Sequence, residues 1–323
     1  MKPPVKPPVN KLLITRKLPD ANIATARAHF DLTYREEASA LTVLEAGQAL
    51  RDYDAILTTL GDGFKAEAFT GQVRCKVLAN FGVGYNHIDV KAATAAGVMV
   101  SNTPDVVTDA TADIGLTLIL SACRRAGEGE RILRAGQWTG WGPTQMLGTH
   151  VTGKTVGIIG MGRIGQAVAR RCHYGFGMPV LYFNRSAKAV DLPARQVGTI
   201  AELMAGSDII VVTVPGGGAN THLVNRAALE AMKPTGIFIN IARGDVVDEA
   251  ALIDILAAGK IAGAGLDVYE REPFVPDALK ALENCVLLPH LGTAALEVRI
   301  AMGQMALDNI IAWSEGRPLP QRV

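Results

Sequence analysis

The sequence predicts an α/β protein built on doubly wound parallel sheets, and three observations carry that prediction. The chain has 323 residues, which at roughly 100–200 residues per domain makes about two domains. Short runs rich in Val, Ile and Leu alternate with helical patterns from end to end, as βα units around a parallel sheet require. The runs also fall into two series separated by one long helical stretch.

The first series of strands is expected at residues 11–15, 54–59, 76–81 and 98–101. The second begins after His150, at residues 155–159, 180–183, 208–214, 236–241, 263–268 and 285–288. These runs are almost continuously apolar, as strands buried on both faces should be. Between the series, residues 107–124 keep helical periodicity with only Gly115 interrupting, and read as a helix crossing between domains. Residues 126–150 are Gly-rich, carry Trp138 and Trp141, and read as an extended arm. Residues 294–315 read as one amphipathic helix that follows the last strand and is placed to return to the first domain.

Bulk composition narrows the function. The formal net charge is +1 with 20% charged and 49% hydrophobic residues, so no basic excess points to nucleic acid or to an anionic membrane. The longest apolar runs fall far short of the roughly 20 residues of a membrane span. Cys75, Cys123, Cys172 and Cys285 form no CxxC or zinc-type pair and read as buried free thiols in a reducing compartment. The opening MKPPVKPPVN lacks the apolar core of a signal peptide and is expected to be a loose leader. These features together predict a cytoplasmic protein.

The glycine loop is Gly160-Met161-Gly162-Arg163-Ile164-Gly165. Alone, GxGxxG is weak; here a strand precedes it and a helical pattern, 163–172, follows. Gly160 permits the tight turn, Gly162 lets a pyrophosphate approach the backbone, and Gly165 lets helix and strand pack closely. The phosphates then meet free N–H groups at a helix N-terminus. The next strand should end in an acid if the ligand is NAD. It ends instead in Asn184-Arg185-Ser186. Arg185 can pair with a 2′-phosphate, and Asn184 and Ser186 can hydrogen-bond to it. The cofactor predicted is therefore NADP(H), with NAD(H) at lower preference; a permissive polar turn is the alternative.

Ligands of open α/β sheets bind outside the carboxyl ends of the strands. Past the strands of the second series stand Val214 and Pro215 with three glycines, Ile241-Ala242-Arg243-Gly244, Asp267, Glu270 and Glu272, and Pro289-His290. Each has an ordinary alternative: a surface ion pair for Arg243, solvated carboxylates, a satisfied buried His290. Their convergence on one sheet edge favours an active site. Reducing a 2-oxo acid needs a cation that grips a carboxylate, as Arg243 can in bidentate fashion. It needs a proton donor, for which His290 is suited. It gains from a carboxylate that orients the imidazole and favours its protonated form, a role for Glu272.

Taken together these residues resemble the D-2-hydroxyacid dehydrogenase family over nearly the whole chain. The motifs are Leu12-Leu13-Ile14-Thr15-Arg16-Lys17-Leu18-Pro19, Asn80-Phe81-Gly82-Val83-Gly84-Tyr85-Asn86, Ser101-Asn102-Thr103-Pro104, the glycine loop, Asn240-Ile241-Ala242-Arg243-Gly244, Gly265-Leu266-Asp267-Val268 with Glu272-Pro273, and Pro289-His290-Leu291-Gly292-Thr293-Ala294. The resemblance implies two Rossmann-like or flavodoxin-like domains. A substrate domain of residues 1–103 and 292–323 would flank a dinucleotide domain of residues 104–291 that includes the dimerisation arm. It implies Arg243, Glu272 and His290 as catalytic residues, and the backbone N–H groups of Val83 and Gly84 as a carboxylate cradle. It places Thr108 and Asp267 near the nicotinamide and extends the cofactor contacts over Arg163, Ile164, Val214, Pro215, Thr221, Ile241 and Gly292. It implies a homodimer built through the arm. Two tryptophans in a Gly-rich arm need covering, which predicts that the arm packs on a partner subunit and that Trp141 closes the neighbouring active site.

Within the family, the Asn184-Arg185-Ser186 turn and the opening strand resemble the glyoxylate/hydroxypyruvate reductase branch, which acts on small 2-oxo acids. Two departures stand out: Gly216-Gly217-Gly218-Ala219-Asn220 where many relatives have a Pro-containing loop, and Asp109 and Asp113 where Glu is common. The alternatives are a reductase of bulkier, phenylpyruvate-like acids and a non-catalytic dinucleotide-sensing corepressor-like protein. Formate enzymes carry Gln where Glu272 stands, and many phosphoglycerate enzymes add a domain for which this chain is too short.

Overall fold

The structure, a computed structural model, describes residues 10–37 and 39–323; most of the proline-rich opening lies outside the described residues. Along the chain run β1 (Lys11–Ile14), α1 (Asp20–His29), β2 (Asp31–Tyr34), α2 (Val43–Asp52), β3 (Ala55–Thr58), β4 (Val77–Asn80), α3 (Val90–Ala95) and β5 (Met99–Ser101). Then come α4 (Thr108–Cys123), α5 (Ala126–Arg134), β6 (Val156–Ile159), α6 (Arg163–Phe176), β7 (Val180–Phe183), β8 (Ala194–Gln196), α7 (Ile200–Gly206) and β9 (Ile209–Val212). The chain ends with α8 (Arg226–Glu230), β10 (Ile237–Asn240), α9 (Glu249–Ala257), β11 (Gly263–Leu266), α10 (Asp277–Lys280), β12 (Cys285–Leu287) and α11 (Leu296–Ser314).

Two compact units result. One holds the chain up to Val107 together with Ala294–Val323, and the other is Thr108–Thr293. The first unit has an all-parallel sheet in the order β2-β1-β3-β4-β5, the flavodoxin-like arrangement. The second has an all-parallel sheet in the order β12-β11-β10-β9-β6-β7-β8, a Rossmann sheet with one strand added. The predicted α/β class with two doubly wound parallel sheets is what the chain adopts. Every residue of β3, β4, β6, β9, β10 and β11 is buried, because an apolar core lies on each face of each sheet. Helix α11 packs in the first unit through Met302, Ala306, Leu307 and Ile310, and α4 belongs to the second.

Local signals set the ends. Thr42 and Glu45 form a reciprocal capping box that starts α2. Gly177, with φ +59°, closes α6 in the left-handed conformation that glycine adopts without strain. Two strands escape the sequence reading. β2 and β8 are short edge strands with no fully buried position, so neither shows a continuous apolar run. The arm is also more ordered than expected, since its first nine residues form α5. The ion pairs Arg125–Glu128 and Arg134–Glu130 run along that helix, while Gly127 and Gly129 obscure its propensity.

Candidate active site

The carboxyl edge of the second sheet is where its topology reverses. From β6 the chain builds outward through β7 and β8, then returns to lay β9 against the other side of β6. The crevice at such a switch point is the natural ligand site, and the glycine loop lies there. Gly160 has φ +100°, and a Cβ on it would come within 2.6 Å of Val214 Cγ1. A Cβ on Gly165 would come within 2.2 Å of the Gly160 carbonyl oxygen. At Gly162 a Cβ would meet nothing within 4 Å. Two glycines are thus required by packing, and the third leaves open space beside the backbone. Gly162 starts α6 with no side-chain cap, so the first turn of the helix, at Arg163 and Ile164, presents its N–H groups to an anion. These residues fit a dinucleotide pyrophosphate.

The turn is held from two sides. The Thr213 hydroxyl donates to the Gly160 carbonyl at 2.6 Å, a tie that sequence reasoning missed because it joins different strands. The Met161 N–H donates to Asn184 Oδ1 at 3.2 Å, and Asn184 Nδ2 donates to the Ser186 carbonyl at 2.8 Å. Asn184 therefore shapes the glycine turn with the polar atoms read from sequence as phosphate contacts. Arg185 and Ser186 are exposed beyond β7. Arg185 has no ion pair among the described residues, and the next acid, Asp191, is taken by Arg170 at 2.6 Å. Val214 is half-buried against Gly160, Pro215 accepts from Asn220 Nδ2 at 2.9 Å, and Thr221 is exposed. Ile241 is buried in the core, and Thr108 is half-buried as the first residue of α4.

Farther along the same edge stand the titratable residues. His290 Nδ1 lies 2.8 Å from Glu272 Oε2, both side chains less than a third exposed. The other Glu272 oxygen accepts the Tyr269 N–H at 3.0 Å. Burial pushes the Glu272 carboxyl up, but the hydrogen bond and charge of His290, the Tyr269 N–H and the charge of Arg243 together hold it below its ordinary value. The imidazole is set by its backbone. His290 has φ +55°, and the next two N–H groups, of Leu291 and Gly292, donate to Asp267 at 2.6 and 2.8 Å. Asp267 is 1% exposed, and burial pushes its carboxyl up against those two bonds. The Tyr269 hydroxyl donates to the Leu288 carbonyl at 2.9 Å and steadies the chain entering His290. Asp267 and Gly292, read from sequence as cofactor contacts, bond to one another here.

Arg243 follows β10. Its stem packs on the glycine-rich loop, where a Cβ on Gly216 would lie 2.7 Å from Arg243 Cβ and Cγ. Its Nη1 donates to the Ala242 carbonyl at 2.6 Å. Among the described residues it makes no ion pair. Burial pushes the guanidinium below its ordinary value, opposed by the charges of Glu272, Asp245 and Asp267. A half-buried arginine with donors to spare, beside a histidine–carboxylate pair, is a site arranged for a small carboxylate.

The remaining predicted residues lie elsewhere in the chain. Val83 and Gly84 follow β4 in the first unit, Val83 being 38% exposed. Trp141 is 83% exposed and lines a cavity of about 380 Å³ with Ile132, Leu133, Trp138 and Met146. All four cysteines are free and buried. Among the described residues no His/Cys/Asp/Glu cluster could hold a metal ion, and no helix is long and apolar enough to cross a membrane.

Comparison with known proteins agrees with this geometry. The model of the D-isomer specific 2-hydroxyacid dehydrogenase NAD binding domain matches residues 116–292. A glyoxylate reductase of Thermococcus onnurineus is 42% identical over 97% of this chain and 95% of its own length. The solved TT0316 protein of Thermus thermophilus superposes with a TM-score of 0.90 at 38% identity, covering 97% of this chain and 99% of that one. An NADPH-dependent glyoxylate/hydroxypyruvate reductase of Sinorhizobium meliloti, solved with NADP and malonate, gives 0.87 at 35% identity, covering 97% and 96%.

Proposed function

Because the chain belongs to the D-isomer specific 2-hydroxyacid dehydrogenase family, we propose that it reduces glyoxylate and hydroxypyruvate to D-2-hydroxy acids at the expense of NADPH. The observation that carries the reading is Arg243: a half-buried guanidinium with no ion pair among the described residues, next to His290 and Glu272. The nicotinamide, when bound, supplies the hydride for the substrate 2-carbon. Arg243 takes the substrate carboxylate through two charge-assisted hydrogen bonds. His290 Nδ1 is engaged by Glu272, so Nε2 delivers the proton to the 2-oxygen. Glu272 favours the protonated imidazole and fixes its orientation. Within the first unit the backbone N–H groups of Val83 and Gly84 form a cradle suited to a carboxylate. The relatives named glyoxylate reductase support the substrate class.

Arg185 carries the preference for NADPH, its exposed head offering the charge that a 2′-phosphate needs. The NADP-bound relative supports that choice. The exposed apolar side chains Leu133, Trp138, Trp141 and Leu147 are covered by a second copy of this chain, which makes the working form a homodimer and brings Trp141 to the neighbouring substrate site. Four free buried thiols suit the reducing cytoplasm.

The test is a panel of glyoxylate, hydroxypyruvate and phenylpyruvate assayed with NADPH and NADH side by side, for the wild type, His290→Ala and Arg185→Ala. The two small acids should be preferred. His290→Ala should lose roughly 10²–10⁴-fold in rate, and Arg185→Ala should raise the KM for NADPH while sparing NADH. An unchanged rate in His290→Ala overturns the mechanism. A monomer in sedimentation analysis overturns the dimer.

A further inference from the structure

We propose that Asn80 and Asn102 are positioning residues for substrate: each fixes one peptide plane so that the N–H of Val83 or of Gly84 faces outward as a carboxylate donor. The inference rests on the proposed reading of these two amides as an anion cradle and explains what builds it.

All the hydrogen bonds concerned lie within the first unit. After β4 the chain runs through Phe81, Gly82, Val83 and Gly84, with Gly82 at φ +155°. Asn80 Nδ2 donates to the Gly82 carbonyl at 2.8 Å and to the Gly84 carbonyl at 3.0 Å. Asn102 Nδ2 donates to the Val83 carbonyl, between them, at 2.9 Å. Three successive carbonyls are thereby pinned by two side-chain amides. A trans peptide is planar, with its C=O and N–H on opposite sides. Fixing the Gly82 carbonyl therefore fixes the Val83 N–H the other way, and fixing the Val83 carbonyl does the same for the Gly84 N–H. Among the described residues neither of those N–H groups donates to a backbone carbonyl.

The burial of Asn80 strengthens the case. It is 1% exposed, and its Oδ1 is buried with no hydrogen-bond partner. An unmet buried acceptor has a cost that an apolar residue would avoid, so the side chain is kept for its two donor hydrogens. The bonds are not equally redundant. The Gly82 carbonyl also accepts the Thr103 N–H at 3.1 Å, whereas the Val83 carbonyl has Asn102 alone among the described residues. Asn102 is thus the stricter control, and it acts on Gly84.

The test uses Asn102→Ala, whose side chain is not part of the core, with Asn80→Ala as companion. Each is loaded with NADPH and titrated with glyoxylate and hydroxypyruvate. Oxalate is titrated separately while the Val83 and Gly84 amide resonances are followed. In Asn102→Ala the KM should rise about 10- to 100-fold, the range expected for losing one hydrogen bond to a charged group. The factor should be the same for both acids, because they share the carboxylate. The kcat should stay within about threefold, as loss of uniform binding requires, and the affinity for NADPH should not change. Asn102→Gln, which can still donate, should recover part of the loss. Oxalate should shift both amides in the wild type and the Gly84 amide far less in Asn102→Ala. That last result is independent of turnover, so it stands even where no 2-oxo acid is reduced. An Asn102→Ala enzyme with unchanged KM, a KM rise that follows a loss of NADPH affinity, or wild-type amides that ignore oxalate would each overturn the proposal.

Discussion

Replacing Arg243 with Met separates binding from stability. Met keeps the Cβ and Cγ that pack on Gly216 and removes the guanidinium. In the free protein that guanidinium makes one short bond to the Ala242 carbonyl and no ion pair among the described residues, and burial pushes it below its ordinary value. Its desolvation is therefore only partly offset in the free protein. Holding an unpaired charge out of water costs free energy that an apolar side chain of similar volume avoids, so Arg243→Met should unfold within about 1 kcal/mol of the wild type or above it. Catalysis should respond in the opposite direction. Two charge-assisted hydrogen bonds at about 1.5–3 kcal/mol each amount to roughly 3–6 kcal/mol of lost transition-state binding, or about 10²–10⁴-fold in kcat/KM. Urea denaturation without ligand and steady-state reduction of glyoxylate supply the two readouts. A variant that keeps kcat/KM within tenfold refutes the assignment of Arg243. A variant that loses more than about 3 kcal/mol of stability refutes the claim that its charge is held at a cost.

Further outcomes follow from contacts already described. Gly165→Ala should lose roughly 1–3 kcal/mol of stability by overpacking, since its Cβ would lie 2.2 Å from a backbone oxygen. Gly162→Ala should remain folded with a normal melting temperature yet bind NADPH at least about tenfold more weakly, because its Cβ fills the space left for the pyrophosphate; calorimetry of both variants checks the contrast. Glu272 is held below its ordinary value of 4.5, so its ionised form stabilises the fold above that pH and the contribution is lost as pH falls through the folded-state value. Glu272→Gln should therefore be less stable than wild type at pH 7, with the gap closing in melts below pH 4.5. Burial pushes Cys123 up to about 11 and Cys75, Cys172 and Cys285 up to about 12, so a disulfide reagent at pH 8 should label all four only after unfolding.

What the sequence reveals and what it hides divide along the reach of each interaction. The glycine loop is legible because strand, turn and helix are contiguous, and each glycine answers a local demand of that unit. Arg243, Glu272 and His290 are legible because strands of a parallel sheet all end at one edge, so polar residues after successive apolar runs are brought together by topology alone. The helix of the arm and the edge strands β2 and β8 are hidden because neither buries a continuous apolar run. The residues that aim the site are hidden for a deeper reason: their partners lie far away in sequence or on backbone atoms. Thr213 holds a carbonyl 53 positions away, and Asp267 holds amides 24 and 25 positions away. From its place after an apolar run Asp267 is one more acid at the sheet edge; from its bonds it is the anchor that keeps His290 at φ +55°. A left-handed histidine is uncommon and costs energy, so it persists only where its surroundings impose it. Here the surroundings do so through a buried carboxylate, which makes the backbone after β12, as much as Glu272, the element that aims the imidazole.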